Sequence, residues 1–228
     1  MVEKNNFKKY DLHVHTHYSR CSINDISKVL KVAKKKGLDG IAITDHNQIR
    51  GALEAKALNK DSNFEVIVGE EVMTDQGEVL AYYLKKPIEP GRYEDVIKEI
   101  RKQGAVCSIA HPFSGGCRTH INKDYFEKLP CTLLPDAIET FNGRIILSRA
   151  NEEAMELAKK YKLPQTGGSD GHFSFEVGAG YTKFEGDFKN AILNRQTKSF
   201  GKKKYPFIQR VLSFLVVFLR IFRQHIRI

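Results

Sequence analysis

The strongest constraint on the fold is a regular alternation of short apolar runs with amphipathic segments between residues 9 and 185. The runs YDLHVH (10–15), DGIAIT (39–44), FEVIVG (64–69), EVLAYYL (78–84), AVCSIAH (105–111), DAIETF (136–141) and LPQTGGS (163–169) have the length and composition of strands. Strands this apolar bury both faces, and segments of helical pattern lie between them. The combination predicts a parallel α/β architecture, either a barrel or an open sheet. Ser22 with Asp25 predicts a capping-box start, after which Ile26, Val29, Leu30 and Ala33 recur at helical spacing and Gly37 stops the helix. Residues 91–104 and 148–162 repeat the scheme.

A chain of 228 residues fits one large domain, or one domain with an appendage. The four cysteines show no CxxC spacing and read as reduced thiols of a cytosolic protein. The net charge of +10 is local: no acid follows Asp187, and ten Lys and Arg residues do. The body is therefore near neutral, which argues against a nucleic-acid-binding core. A boundary near residue 195 separates this body (1–195) from a basic, hydrophobic helical tail (196–228). The tail segment FIQRVLSFLVVFLRIFRQHIRI is apolar almost all round, with Gln209, Ser213, Arg220, Gln224 and Arg227 in one narrow stripe. Its apolar run is too short to span a bilayer. Such a helix buries its wide face on the body, against a second copy, or in a membrane interface through residues 202–228. The expected location is cytoplasmic, with the tail as a route to a membrane surface.

The segment DLHVHTHYS (11–19) places His13 and His15 on one face of a strand, an arrangement that favours a bound cation over two neighbouring imidazolium charges. Other candidate ligands follow strands in the same way: Asp45 and His46, Glu71, His111, Glu139, and Asp170 with His172. Strand carboxyl ends are where sites assemble in parallel α/β folds. Imidazoles and carboxylates without a cysteine cluster suit Zn, Mn or Fe in a hydrolytic centre, and the number of candidates calls for two or three divalent ions. Clustered divalent ions suit phosphate-ester hydrolysis by a metal-activated hydroxide.

The motifs DLHVHTHYS, GLDGIAITDHN, VGEEV, AHPF and GGSDGH, spread in order over residues 9–185, resemble the series of the PHP (polymerase and histidinol phosphatase) family, in particular its stand-alone phosphoesterases. The resemblance implies a distorted seven-stranded β/α, TIM-like barrel with three ions at the strand carboxyl ends. It also implies His13, His15 and Asp170 on the first ion, Glu71 bridging, His111 on the second, and His46 and His172 on the third. Asp45 either ligates or orients His46, and Asp45 and His46 are the candidates for catalytic proton handling. Glu139, Asn142, Arg144 and Arg118 are candidates for substrate binding or ligand support, with Glu139 either completing the second ion or pairing with Arg144. His17 is read as surface or substrate-facing. Two positions depart from the family pattern. Arg20 and Cys21 stand where an Asp or His helps the third ion, and Cys21 is read as a small buried residue. Leu80 stands where a His is frequent. The expected substrate is a small phosphorylated metabolite or a nucleotide or nucleic-acid end, with nucleic acid entering only as substrate. Two alternatives stand beside this reading: an amidohydrolase-type metal hydrolase, and a catalytically weak metal-binding scaffold tethered by its tail.

Overall fold

The apolar runs assemble around β1 (Phe7–Val14), whose residues from Tyr10 onward are buried. In chain order follow α1 (Ile26–Lys35), β2 (Gly40–Ile43), α2 (Arg50–Leu58), β3 (Glu65–Thr74), β4 (Gly77–Tyr82), α3 (Tyr93–Lys102), β5 (Val106–Ile109) and α4 (Lys123–Glu127). The series continues with β6 (Ala137–Asn142), α5 (Ser148–Lys160), β7 (Gln165–Gly168), β8 (Gly180–Glu185), α6 (Phe188–Leu193) and β9 (Lys198–Gly201). The computed structural model describes residues 6–114, 121–146, 148–202, 208 and 211–219. The expected phosphate contact Arg118, and the tail residues Gln209, Arg220, Gln224 and Arg227, lie outside the described residues.

Among the described residues the strands form one nine-stranded sheet, in the order β7-β6-β5-β4-β3-β2-β1-β8-β9. The sheet curls until its ends nearly meet. Beyond β7, Gly171 donates to the His13 carbonyl at 3.2 Å and accepts from His15 N at 2.9 Å, so the β7 edge closes on the end of β1. The expected barrel is present, with two refinements. The run EVLAYYL was expected to follow a crossover, but β4 is joined to β3 by a tight turn and pairs antiparallel with both β3 and β5. Beyond the seven expected runs, β8 and β9 add an antiparallel ribbon to β1, and the sheet reaches past the boundary drawn at residue 195.

Alternation along each strand separates two cores. Facing the barrel interior are Leu12, Ala42, Ile67, Leu80, Val106 and Ala137, with Tyr10, Phe184 and Phe188 of α6 closing the amino-terminal end. Facing outward, Ile41, Val68 and Ile109 pack beneath Val29, Ala52 and Ile97 of the helices. The bottom of the barrel is thus aromatic and dry, and polar residues collect at the opposite mouth. The capping box is corrected: Asp25 caps α1 by accepting from Lys28 N at 2.9 Å. Ser22 instead donates to the carbonyls of His15 and His172, pinning two loops of the mouth together. No helix among the described residues is long and apolar enough to cross a membrane.

Glu70 and Glu71 leave β3 on opposite sides. Glu70 enters the outer layer, where its carboxylate accepts from Ile88 N at 2.9 Å. Burial, aided by Glu89 and opposed by that hydrogen bond, pushes its carboxyl up to about 7. The folded state therefore holds this proton more tightly than the unfolded chain. The resulting stability is present below the ordinary carboxyl pKa and is lost as pH rises through 7. Across that window the stability difference between Glu70→Gln and the natural chain is expected to move by roughly 3 kcal/mol in the variant's favour. Urea denaturation at mildly acidic and mildly alkaline pH checks this; parallel pH profiles would refute it.

Candidate metal centre

Each side chain at the mouth is aimed by its strand end. The β1–β2 register breaks between Asp11 and Val14, and there the buried Asp11 accepts from Ser169 N at 2.8 Å and Gly178 N at 2.7 Å. These bonds tie the end of β1 to the loop carrying Asp170 and His172. His111 (φ 24°) and Asp170 (φ 54°) both have left-handed backbone, which non-glycine residues adopt at a cost of order 1–3 kcal/mol. Both residues are candidate ligands, so the strain falls where side-chain direction matters.

Glu71 is the hub. Its Oε1 lies 3.0 Å from His111 Nε2 and 3.3 Å from His13 Nε2. Its Oε2 lies 3.0 Å from His46 Nδ1 and 3.3 Å from His15 Nε2. The two Nε2 atoms of His13 and His15 approach to 3.1 Å, and Asp170 Oδ1 stands 3.7 and 3.3 Å from them. His172 Nδ1 is 3.4 Å from the same carboxylate oxygen, and its ring lies against that of His15 at a tilt of 42°, with centroids 4.3 Å apart. All but His46 are buried. Among the described residues, four overlapping donor groups could hold a cation: His13–His15–Glu71, His13–His111–Asp170, His15–His46–His172 and His46–Glu71–Glu78.

Behind these donors lies an orienting layer. Glu139 Oε1 faces His13 Nδ1 at 3.0 Å and its Oε2 accepts from His111 N at 2.8 Å. That contact fixes the proton on His13 Nδ1 and leaves Nε2 as the donor atom. Asn142 bridges Glu139 Oε2 (3.1 Å) and Asp170 Oδ2 (3.3 Å) through its amide nitrogen. Asp45 accepts from Thr16 N at 2.8 Å, Thr16 Oγ1 at 2.6 Å and Ser19 Oγ at 2.5 Å, and Ser19 Oγ meets His15 Nδ1 at 3.2 Å. Asp45 was expected to ligate or to orient His46. Its carboxylate is instead engaged by the loop after β1, and it acts on His15 through Ser19.

Three further expectations change. Arg144 does not pair with Glu139: its guanidinium lies 3.8 Å from Glu176 and donates to Ser213 Oγ at 2.9 Å. Cys21 is partly exposed, with Sγ 3.0 Å from His172 Nε2, so it belongs to the site. The gap expected at Leu80 is filled from the same strand by Glu78, whose carboxylate reaches His111 Nε2 at 3.5 Å and His46 Nδ1 at 3.8 Å. His17 lies outside the cluster, its Nδ1 against the Asn24 carbonyl.

The electrostatics describe a site that recruits positive charge. Burial depresses the imidazolium of His13, yet Glu71, Glu139 and Asp170 outweigh it and raise its pKa well above the usual value. His15 follows, raised by Asp170 and Glu71 against its own burial. Glu71 is held well below the carboxyl range by His13, His46 and His111 despite complete burial. His172 is driven the other way, by burial first and then by His15 and Arg144, and stays neutral. Facing imidazole nitrogens and buried carboxylates must share protons or share cations. A donor set of nitrogens and carboxylate oxygens with Cys21 at its edge, in which the outer nitrogens of His13 and His15 are already hydrogen-bonded, fits divalent metal ions.

Residues 11–163 match the family described as PHP domain, and residues 148–197 match the family described as PHP-associated. An uncharacterized protein of Methanocaldococcus jannaschii is 38% identical over 146 residues, covering 59% of this chain and 82% of its own length. A second protein of that organism is 34% identical over 179 residues, covering 77% of this chain and 70% of its own. Among solved structures, a two-domain Bacteroides vulgatus protein, described as containing a predicted PHP-like metal-dependent phosphoesterase, superposes with a TM-score of 0.72 at 21% identity. That superposition covers 86% of this chain, which spans 65% of the two-domain chain.

Proposed function

Because the chain belongs to the PHP domain family, we propose that it hydrolyses phosphate esters at this centre with the help of two or three divalent cations. The observation that carries the reading is the double reach of Glu71, each of whose oxygens faces a different pair of imidazoles. A carboxylate so placed suits two neighbouring cations. His13, His15 and Asp170 would hold one, His111 with Glu78 the second, and His46 with His172 and Cys21 the third. When bound, such ions supply an activated water and neutralise charge on the phosphoryl group. Donor chemistry favours Zn, Mn or Fe.

The chain's own residues do the rest. Glu139 holds a proton on His13 Nδ1, and Ser19, itself held by Asp45, accepts one from His15 Nδ1. Asn142 keeps Glu139 and Asp170 at a fixed separation. His46, the most exposed of the imidazole donors, is the candidate for proton exchange with solvent. The hydrolase body on this reading runs through β9, past the boundary expected at residue 195, with the residues after β9 as appendage, and the substrate is a small phosphorylated molecule or a nucleotide or nucleic-acid end. The presence of Glu71 at the bridging point favours this reading over an amidohydrolase type, which relies on a carboxylated lysine or an equivalent there. The carboxylate of Glu78 weakens the case for a scaffold that has lost its ligands.

Elemental mass spectrometry of the purified chain, with aryl phosphate turnover measured under added Mn, Zn or Fe, tests the proposal. Two or more ions per chain and metal-dependent turnover that His13→Ala abolishes are expected. One ion or none, with no turnover under any metal, would overturn it.

A further inference from the structure

Helix residues 211–219 leave a large apolar face exposed. Ser213, from the polar stripe, points inward and accepts from the buried Arg144 at the barrel mouth. Leu212, Val216 and Val217 are half-covered beside it, whereas Val211, Phe214, Leu215 and Leu219 are exposed, Phe214 by 72%. Ile208, three residues before Val211, extends the same face. A helix facing water shows polar residues to it; this one, apolar on its covered side as well, shows a large apolar face beside the entrance to the metal centre. The neighbouring rim agrees. Ile23 after β1, Ile146 after β6 and Phe175 after β7 are exposed large apolar side chains on loops leaving the strand ends that carry the site.

We propose that this helix and rim seat the mouth of the metal centre against an anionic lipid bilayer. Charge selects the occupant. Lys202, Lys203, Lys204 and Arg210 lead into this helix in sequence, and no acid follows Asp187 to offset them. A second copy docked face to face would bring these like charges together, whereas acidic headgroups neutralise them and the acyl boundary takes up the apolar stripe. A phosphate backbone would meet the cations but leave Phe214, Leu215 and Leu219 in water. The docking stands independently of the hydrolase reading.

Flotation of the full-length protein with phosphatidylcholine vesicles, with and without phosphatidylglycerol, tests it. Recovery with the anionic vesicles, weakened by added salt, is expected. Phe214→Asp and Leu219→Asp should each cut partitioning by about tenfold or more, as removal of one large apolar side chain from the interface implies. Metal content and aryl phosphate turnover should stay unchanged in both, since neither side chain belongs to the centre. Absent flotation, or flotation indifferent to both variants, would overturn the proposal. So would a dimer seen by light scattering that Phe214→Asp dissolves, or oligonucleotide binding that survives it while vesicles are ignored.

Discussion

Glu71→Gln is expected to lower metal-dependent phosphoester turnover by about three orders of magnitude while the fold persists. The amide keeps the shape of the side chain but removes the charge that faces His13, His15, His46 and His111 at 3.0–3.3 Å. Losing about 4 kcal/mol of charge stabilisation at such a centre corresponds to that factor, at 1.36 kcal/mol per tenfold. Glu139→Gln makes the informative contrast. It touches His13 only at Nδ1, away from the other donors, so it should cost roughly tenfold to a hundredfold in metal affinity or activity. Turnover at saturating metal, together with metal titration, separates the two. Equal losses would mean that Glu139 is itself a ligand and that the assignment of an orienting layer is wrong.

Gly168→Ala should be strongly destabilising. A methyl there would sit 2.3 Å from His13 Cβ and 2.7 Å from His13 N, atoms that no rotamer change can move. Relief requires prising β7 away from β1 at the seam where the barrel closes. Overpacking in a rigid interior costs typically 1–3 kcal/mol, and the upper end, about 3 kcal/mol, is expected. Thermal unfolding of the metal-free chain measures the stability loss, and a parallel fall in metal affinity would report the displaced imidazole. A variant as stable as the parent would show that the seam is loose.

The ligand cluster was legible because most of its members sit at the carboxyl ends of strands apolar enough to recognise, and His13, His111 and Asp170 obey that rule, while Glu71 lies inside β3, which runs on to Thr74. Glu78 escaped it for one physical reason. In an antiparallel strand the amino end, not the carboxyl end, faces the mouth, and β4 was read as parallel. The signal was present: a turn of Asp75 and Gln76 ending in Gly77, at φ 111°, joins two apolar runs closely enough for a hairpin. The ribbon β8–β9 was missed because GYTKFE alternates buried and half-exposed residues and carries Lys183, so it lacks the continuous apolar run of its neighbours. The tie between Arg144 and Ser213 joins residues far apart in sequence, and no local pattern announces it.

The hairpin between β3 and β4 bears on how the mouth can select what enters. Beyond Glu71 the two strands continue as a ladder, Val72 opposite Val79 and Thr74 opposite Gly77. One wall of the entrance is therefore a cross-linked ribbon that bends as a unit. A flexible loop in that position could rearrange around guests of different shape; a ribbon acts as a fixed gauge. Width tolerance must then come from other segments of the rim, such as the residues between β7 and β8, which close beside the end of β1. Exchanging those segments between related barrels should transfer substrate preference, while exchanging the ribbon should chiefly change how tightly the entrance holds its form.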